Sequence, residues 1–246
     1  MEFLNKMLNT SLILLCLAVG ALGSASSSSK GRLIAELFQD YDRDVPPGSD
    51  ELISPVAFSL DPTCMELSSE GELEGSVWER INWQDDRLVW EPKNYSGISV
   101  LRVHNSKLWK PDIVLYSKKS AIYLDPDYNI LIYSTGKILS VPDKRIRVHC
   151  TNANFTSPWA LQECKLKYGS WTYHQGQLEL SIRNGTSLVS EFNEYCPLKL
   201  LDMTNELTIK KYDCCEEDYA SIEVKLRFQR QFLVTPAGII KNPQVV

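Results

Sequence analysis

Apolar and polar residues alternate along most of this chain. Ile222, Val224, Leu226 and Phe228 alternate with Glu223, Lys225, Arg227 and Gln229, and Leu178, Leu180 and Ile182 with Glu179, Ser181 and Arg183. A period of two turns one face of a segment to a core and the other to water, the signature of an antiparallel strand. Shorter runs at 56–60, 75–82, 98–103, 113–116, 130–133 and 146–149 predict further strands. Turn residues punctuate them at Asp61-Pro62, Pro92-Lys93-Asn94, Asp125-Pro126-Asp127 and Ser134-Thr135-Gly136. One stretch breaks the pattern. Leu33, Ile34, Leu37, Phe38 and Tyr41 recur at helical spacing, which predicts a short amphipathic helix that ends before Pro46-Pro47. Many short strands behind one leading helix predict an all-β fold, an immunoglobulin-like β-sandwich of about ten strands. No internal repeat or second linker appears. The expected organisation is a leader at 1–25, a serine-rich linker at 26–30, one domain at 31–232 and a tail at 233–246.

The leader reads as a secretory signal peptide. Met1 to Lys6 is a polar start, SLILLCLAVGALG at 11–23 is an apolar run, and small residues follow near Ala25. The run is shorter than the roughly 20 residues a membrane span needs. No later apolar run reaches that length, and no hydrophobic tail for a lipid anchor follows. The expected product is therefore secreted and extracellular, without membrane insertion. Of seven cysteines, Cys16 leaves with the leader; the other six, an even number in an oxidising compartment, imply three disulfides. Sequons at Asn94, Asn154 and Asn184 are expected to carry glycans.

Composition narrows the function. A net charge of −5 without a dominating basic patch argues against a nucleic-acid binder. His104, His149 and His174 lack metal-ligand spacing, no Gly-rich phosphate loop or Gly-x-Ser-x-Gly is present, and no loop has EF-hand spacing. Neither a catalytic constellation nor a metal or cofactor is predicted, and binding stands ahead of catalysis.

The unusual motif is Cys214-Cys215, two adjacent cysteines that either close on each other in an eight-membered ring or pair elsewhere. Tyr212 and Tyr219 bracket them. Two more aromatic segments stand out, Trp109-Lys-Pro-Asp with Tyr116 after it, and Gly-Ser-Trp-Thr-Tyr at 169–173. With the Cys150 to Cys164 loop, these motifs resemble the ligand-binding domain of nicotinic-type Cys-loop receptors, and most closely the soluble acetylcholine-binding proteins of invertebrates. The resemblance covers residues 31–232, and the paired cysteines put it on the nicotinic branch. It implies a pentamer of β-sandwiches with ligand sites between subunits. The principal face would carry Tyr116, Trp171, Tyr212, Cys214, Cys215 and Tyr219. The complementary face would carry Trp78, Leu131, Leu139 and Val141. It also implies a Cys150–Cys164 disulfide.

The chemistry suits a cationic ligand. A quaternary ammonium has no N–H to donate, whereas an aromatic face attracts it through the ring quadrupole by roughly 2 kcal/mol or more once desolvated. Indole is the best such face, which makes Trp171 the expected central contact; tyrosines add edges and orienting hydroxyls. Trp83, Trp90, Trp109 and Trp159 are instead expected to pack in the core or in loops.

Two departures from the receptor pattern stand in the sequence. Receptors carry an aromatic-Pro-aromatic-Asp run late in the Cys loop where it meets the membrane domain; here the run is Ser157-Pro158-Trp159-Ala160, with the Asn154 sequon beside it. Ser221 stands where many relatives have an aspartate that engages Lys167. Cys64 and Cys196 remain, either as a bridge fastening the segment before Cys214 to the sheet, as free thiols, or as a cross-subunit link. The expected function is a secreted homopentameric binding protein for acetylcholine and nicotine-like cationic ligands. The alternatives are the extracellular portion of, or an accessory subunit to, a nicotinic channel, and a secreted structural or adhesion sandwich without ligand.

Overall fold

The computed structural model describes residues 28–49, 51–117, 127–150, 156–183, 196–213 and 215–244. The leader, the Asn154 and Asn184 sequons, the Asp125-Pro126 turn and Cys214 lie outside them. The chain falls into two compact units, 1–39 and 40–246.

The first unit holds α1 (Ser29–Leu37). Ser28 caps it, its Oγ accepting the Gly31 N–H at 3.1 Å. The expected apolar face reached on to Tyr41, but the helix ends four residues earlier, with the Phe38 N–H closing on the Ile34 carbonyl. Beyond it, the Asp42 carboxylate accepts the Asp44 N–H and turns the chain.

The second unit is a β-sandwich. Its larger sheet runs β3 (Val100–His104), β5 (Asn129–Tyr133), β6 (Thr135–Ser140), β2 (Glu72–Val89), β1 (Ile53–Leu67) and β9 (Leu178–Ile182), with β7 (Asp143–His149) also paired to β2. Its smaller sheet runs β10 (Leu198–Lys211), β11 (Asp218–Arg230), β8 (Gln162–Ser170) and β4 (Ile113–Leu115). The tail at 232–241 is a hairpin, β12 (Phe232–Thr235) with β13 (Gly238–Lys241).

Alternation explains which faces meet. On β11 the apolar set Ile222, Val224, Leu226 and Phe228 is buried. The charged set faces out and ladders across the sheet, Glu223 with Lys165 at 2.7 Å and Lys225 with Glu163 at 3.9 Å. From the opposite sheet Phe58, Leu60, Leu73 and Val77 fill the same core. Phe58 meets Tyr168 with ring centroids 4.7 Å apart. Asp61-Pro62, expected as a turn, lies inside β1 at a register shift before Cys64; a bulge accommodates the missing proline donor without ending the strand. At the other expected turns, Pro92–Tyr95 is a 3₁₀ turn and Ser134 joins β5 to β6, with Gly136 at φ +81°.

Among the described residues, two disulfides have both partners in place. Cys150 and Cys164 join β7 to β8 with Cα atoms 4.9 Å apart. Cys64 and Cys196 join β1 to the start of β10 with Cα atoms 5.5 Å apart. Cys196 is buried, so the intrachain bridge replaces the free-thiol and cross-subunit alternatives. Cys215 is also disulfide-bonded, to a residue outside those described.

Candidate functional site

The Trp-Lys-Pro-Asp segment builds one wall of the site by anchoring at one end and bracing at the other. Trp109 is buried, its ring edge-on to that of Trp83 at 6.0 Å. Its N–H donates to the Tyr41 hydroxyl at 3.1 Å, and that hydroxyl donates to the buried Asp85 carboxylate at 2.8 Å. Burial and Asp85 push the Tyr41 hydroxyl pKa up, which keeps it a donor. Three residues on, after rigid Pro111, the Asp112 carboxylate accepts from the Ser170 hydroxyl at 2.5 Å, the Thr172 N–H at 2.7 Å and the Thr172 hydroxyl at 2.6 Å. The Asp112 carbonyl accepts the Trp171 N–H at 3.1 Å. The loop that carries Trp171 is thus tied on both sides to one aspartate, and its indole stands 70% exposed at the end of β8.

The other aromatics gather around it. Tyr116, just past β4, lies 6.4 Å from Trp171 between ring centroids. Its hydroxyl donates to the Ser170 carbonyl. A Cβ at Gly169 would fall 2.6 Å from that hydroxyl, so the ring seats itself only against a glycine. Tyr212 and Tyr219, at the end of the β10–β11 hairpin, lie 6.1 Å apart and edge to face. The structure brings the four aromatics expected on a principal face into two neighbouring pairs at one end of the smaller sheet. Cys215 sits on the same hairpin, half-buried; Cys214 lies outside the described residues.

Two lysines complete the cluster. Lys167 Nζ donates to the Tyr212 hydroxyl at 3.2 Å and stands 5.9 Å from the Tyr116 ring centroid and 5.8 Å from that of Tyr212. Lys210 Nζ stands 5.1 Å from the Tyr212 ring. Among the described residues, no cation lies over Trp171, so its indole stays exposed while the Tyr116 and Tyr212 rings face lysines. Ser221 is buried and donates to the Thr208 carbonyl at 3.4 Å, while Lys167 turns to Tyr212. Sequence reasoning assigned no role to Asp112 or Lys210. Asp112 was legible as the fixed acid after proline in its motif; nothing in the sequence marked Lys210.

Burial, then Tyr212, Asp112 and Tyr219, push the Tyr116 pKa up to about 12. A raised folded pKa contributes stability that is whole below the unfolded value of 10 and is lost as pH climbs toward 12. Tyr116→Phe protein should therefore lose less thermal stability than the parent between pH 10 and 12. Parallel melting curves that fall equally would show that Tyr116 ionises like an exposed phenol.

The residues expected on a complementary face lie elsewhere. Trp78, Leu131, Leu139 and Val141 are half-buried and alternate with inward residues such as Val77, Ile130 and Ile138. They share the outer face of the larger sheet. Leu131 pairs with Leu139, Leu139 with Asn82, and Ser140 with Ile81, which puts Val141 beside Arg80 and two residues from Trp78. They are grouped with one another on a different sheet from the four aromatics. Trp83, Trp90 and Trp109 are buried in the core, and Trp159 is half-buried in the loop after 156, its carbonyl accepting from Gln229. Asn94 is exposed. Among the described residues, no group of acids, histidines or cysteines could hold a metal ion.

The sequence profile of the neurotransmitter-gated ion-channel ligand binding domain matches residues 30–232. The chain is 32% identical over 220 residues to the acetylcholine receptor subunit alpha-type acr-15 of Caenorhabditis elegans, covering 87% of this chain and 45% of that one. It is 30% identical over 213 residues to the human neuronal acetylcholine receptor subunit alpha-6, covering 85% and 43%. With the alpha-3 subunit of Bos taurus it shares 28% over 227 residues, covering 89% and 44%. This chain belongs to the neurotransmitter-gated ion-channel ligand-binding domain family, which is not a family of enzymes. It spans less than half the length of these relatives, and no helix among the described residues is long and apolar enough to cross a membrane.

Proposed function

We propose that this chain is a secreted binding protein for acetylcholine and related cationic, nicotine-like ligands, held in aromatic cages between neighbouring copies of a homopentamer. The observation that carries this reading is the exposed Trp171 indole, braced by Asp112 and flanked by Tyr116, Tyr212 and Tyr219. An indole at 70% exposure leaves its apolar face in water, so a cation that covers it gains both burial and quadrupole attraction. One chain alone leaves that cluster open on one side. Trp78, Leu131, Leu139 and Val141 offer a second, largely apolar wall on the other sheet, and a second copy would bring that wall opposite the first. Because both walls are encoded in one sequence, self-assembly would build a complete site. Each copy carries net negative charge, but salt screens that repulsion beyond about 10 Å at 0.1 M, so contacts of standard interface size can prevail.

The test is the native mass of the purified protein with and without acetylcholine. A species five times the mass of the glycosylated chain that takes up ligand supports the reading. A monomer at micromolar concentration overturns the assembly and the shared site together, and a pentamer without uptake leaves a structural sandwich.

A second reading has an observation of its own. The matched relatives are receptor subunits of roughly twice this length, so the chain can equally be the ligand-binding portion of an acetylcholine-gated channel subunit. The run Ser157-Pro158-Trp159-Ala160 lacks the acid that receptors place against the membrane domain, and Asn154 offers a glycan beside it. Those two features favour the secreted form. Expression of the full transcript separates the two, since a channel subunit stays in the membrane fraction and a secreted protein accumulates in the medium.

A further inference from the structure

We infer that the acidic tip of the β10–β11 hairpin of one copy docks on a basic patch around the complementary face of the next copy. The inference rests on the interface proposed above and names what holds its outer edge.

The tip concentrates negative charge. Asp213, Glu216, Glu217 and Asp218 are all exposed within six residues. Among the described residues, none of them forms an ion pair, while acids elsewhere on the sandwich do, such as Glu223 with Lys165 and Glu74 with Arg145 and Arg147. Tyr212 and Tyr219 flank this tip directly. The same hairpin arm exposes Leu207 and Ile209, apolar side chains without cover in the single chain.

One region of the outer face of the larger sheet gathers basic side chains. Arg102 is exposed on β3 and pairs in register with Leu131. Lys137 is exposed on β6, two residues from Leu139 on the same face, a spacing of about 7 Å along a strand. Arg183 follows β9. A groove of about 580 Å³ is lined by Lys137, Leu139, Arg183, Asn82, Val100 and Tyr133. Among the described residues, Arg102, Lys137 and Arg183 have no acidic partner. Of the acids near this patch, Asp61 is held by Arg80 at 2.5 Å, Asp86 accepts from Gln84 at 2.8 Å, Asp143 lies opposite Trp78 in the ladder, away from Lys137, and Glu179 is four residues from Arg183. An aromatic pair that faces Leu139 therefore brings its own carboxylates over Lys137 and Arg183. Exposed ion pairs are individually weak and screened by salt. Several of one sign meeting several of the other fix register, and reversing one side sets like charges against each other, which opposes assembly.

A charge swap tests this. The Glu216→Lys/Glu217→Lys variant changes exposed positions and the Lys137→Glu/Arg183→Glu variant one exposed and one half-buried position, and unaltered melting curves check their folding. Each should raise the protein concentration needed for assembly about tenfold at low salt, and the quadruple variant should return within about twofold of the parent, as complementary charge requires. Zero-length carbodiimide coupling of the parent should join Lys137 to the 213–218 peptide across two copies. Assembly of either two-residue variant that matches the parent, or a quadruple variant no better than its components, overturns the docking. So does a Lys137→Glu/Arg183→Glu protein that assembles normally and loses only carboxylate-bearing ligands, since the patch then serves the ligand. Trp171→Ala protein, run alongside, separates the two ideas. If the swap behaves as stated while assembled Trp171→Ala still binds tetramethylammonium like the parent, the cage is wrong and the docking stands.

Discussion

Assembled Trp171→Ala protein should bind tetramethylammonium about thirtyfold more weakly than the parent, a loss of roughly 2 kcal/mol at 1.4 kcal/mol per decade. Tetramethylammonium offers no hydrogen bond, so its affinity reads the aromatic surface alone. Trp171 is the most exposed aromatic of the cluster and, among the described residues, carries no cation, whereas Tyr116 and Tyr212 already face Lys167 and Lys210. Truncation there removes a ring without opening the core, because Trp171 lies outside it. The matched control is Trp159→Ala, which removes an indole of the same size from the Cys150 to Cys164 loop and should leave affinity within about twofold, since among the described residues Trp159 makes no ring contact with the cluster and its carbonyl bonds Gln229 instead. Titration calorimetry on the assembled fraction checks both. Equal affinities for Trp171→Ala and the parent would sink the cage. Mild reduction of the Cys215 disulfide should weaken binding as well, by freeing the hairpin that holds Tyr212 against Tyr219.

The strands with one wet and one dry face were legible in the sequence because burial imprints the period of two. β9 follows its alternation through Leu178 and Leu180, with Ile182 half-buried at its end, and β11 from Ile222 to Phe228, after a start at which Ala220 and Ser221 are buried as well. β10 was not legible. Its first residues touch the core, but from 204 to 211 nearly every side chain is exposed, Ile209 included, so no alternation marks the arm as a strand. Strand identity there comes from pairing with β11, a long-range fact that no local pattern encodes. β8 was hidden differently. It is buried at its end on successive residues, Tyr168, Gly169 and Ser170, since the site loop closes over it. The helix was overextended by one apparent turn because Tyr41 keeps helical spacing, yet its ring serves the Asp85 and Trp109 network instead. At the site, the aromatic types were recognisable by motif, while the Asp112 brace and the Lys167 contact with Tyr212 depend on loop geometry that spacing cannot supply.

The Cys64→Ala/Cys196→Ala protein should be the least stable folded variant of this domain. The bridge joins residues 132 apart in sequence. In the chain-entropy treatment, closing a loop of that size restrains the unfolded chain by roughly 5 kcal/mol, against roughly 3 kcal/mol for the 14-residue separation of Cys150 and Cys164. Native domains have only about 5–15 kcal/mol in all, so the longer bridge accounts for a large share of the margin. At about 2–4 °C per kcal/mol for a domain of this size, its loss should lower the Tm by roughly 10–20 °C. Using alanine at both positions avoids a stray thiol and isolates the cross-link. The native state adds to the effect, because the bridge ties β1 just after its bulge to the start of β10, the strand that leads to the Tyr212 hairpin. Gln231 Nε2 donates to the Cys196 carbonyl at 2.9 Å and fixes that junction from the other side. Calorimetric melting of both double-alanine variants decides the matter. If the Cys150→Ala/Cys164→Ala protein melts as low or lower, loop length does not set the stability of this sandwich, and local packing around the Cys loop does.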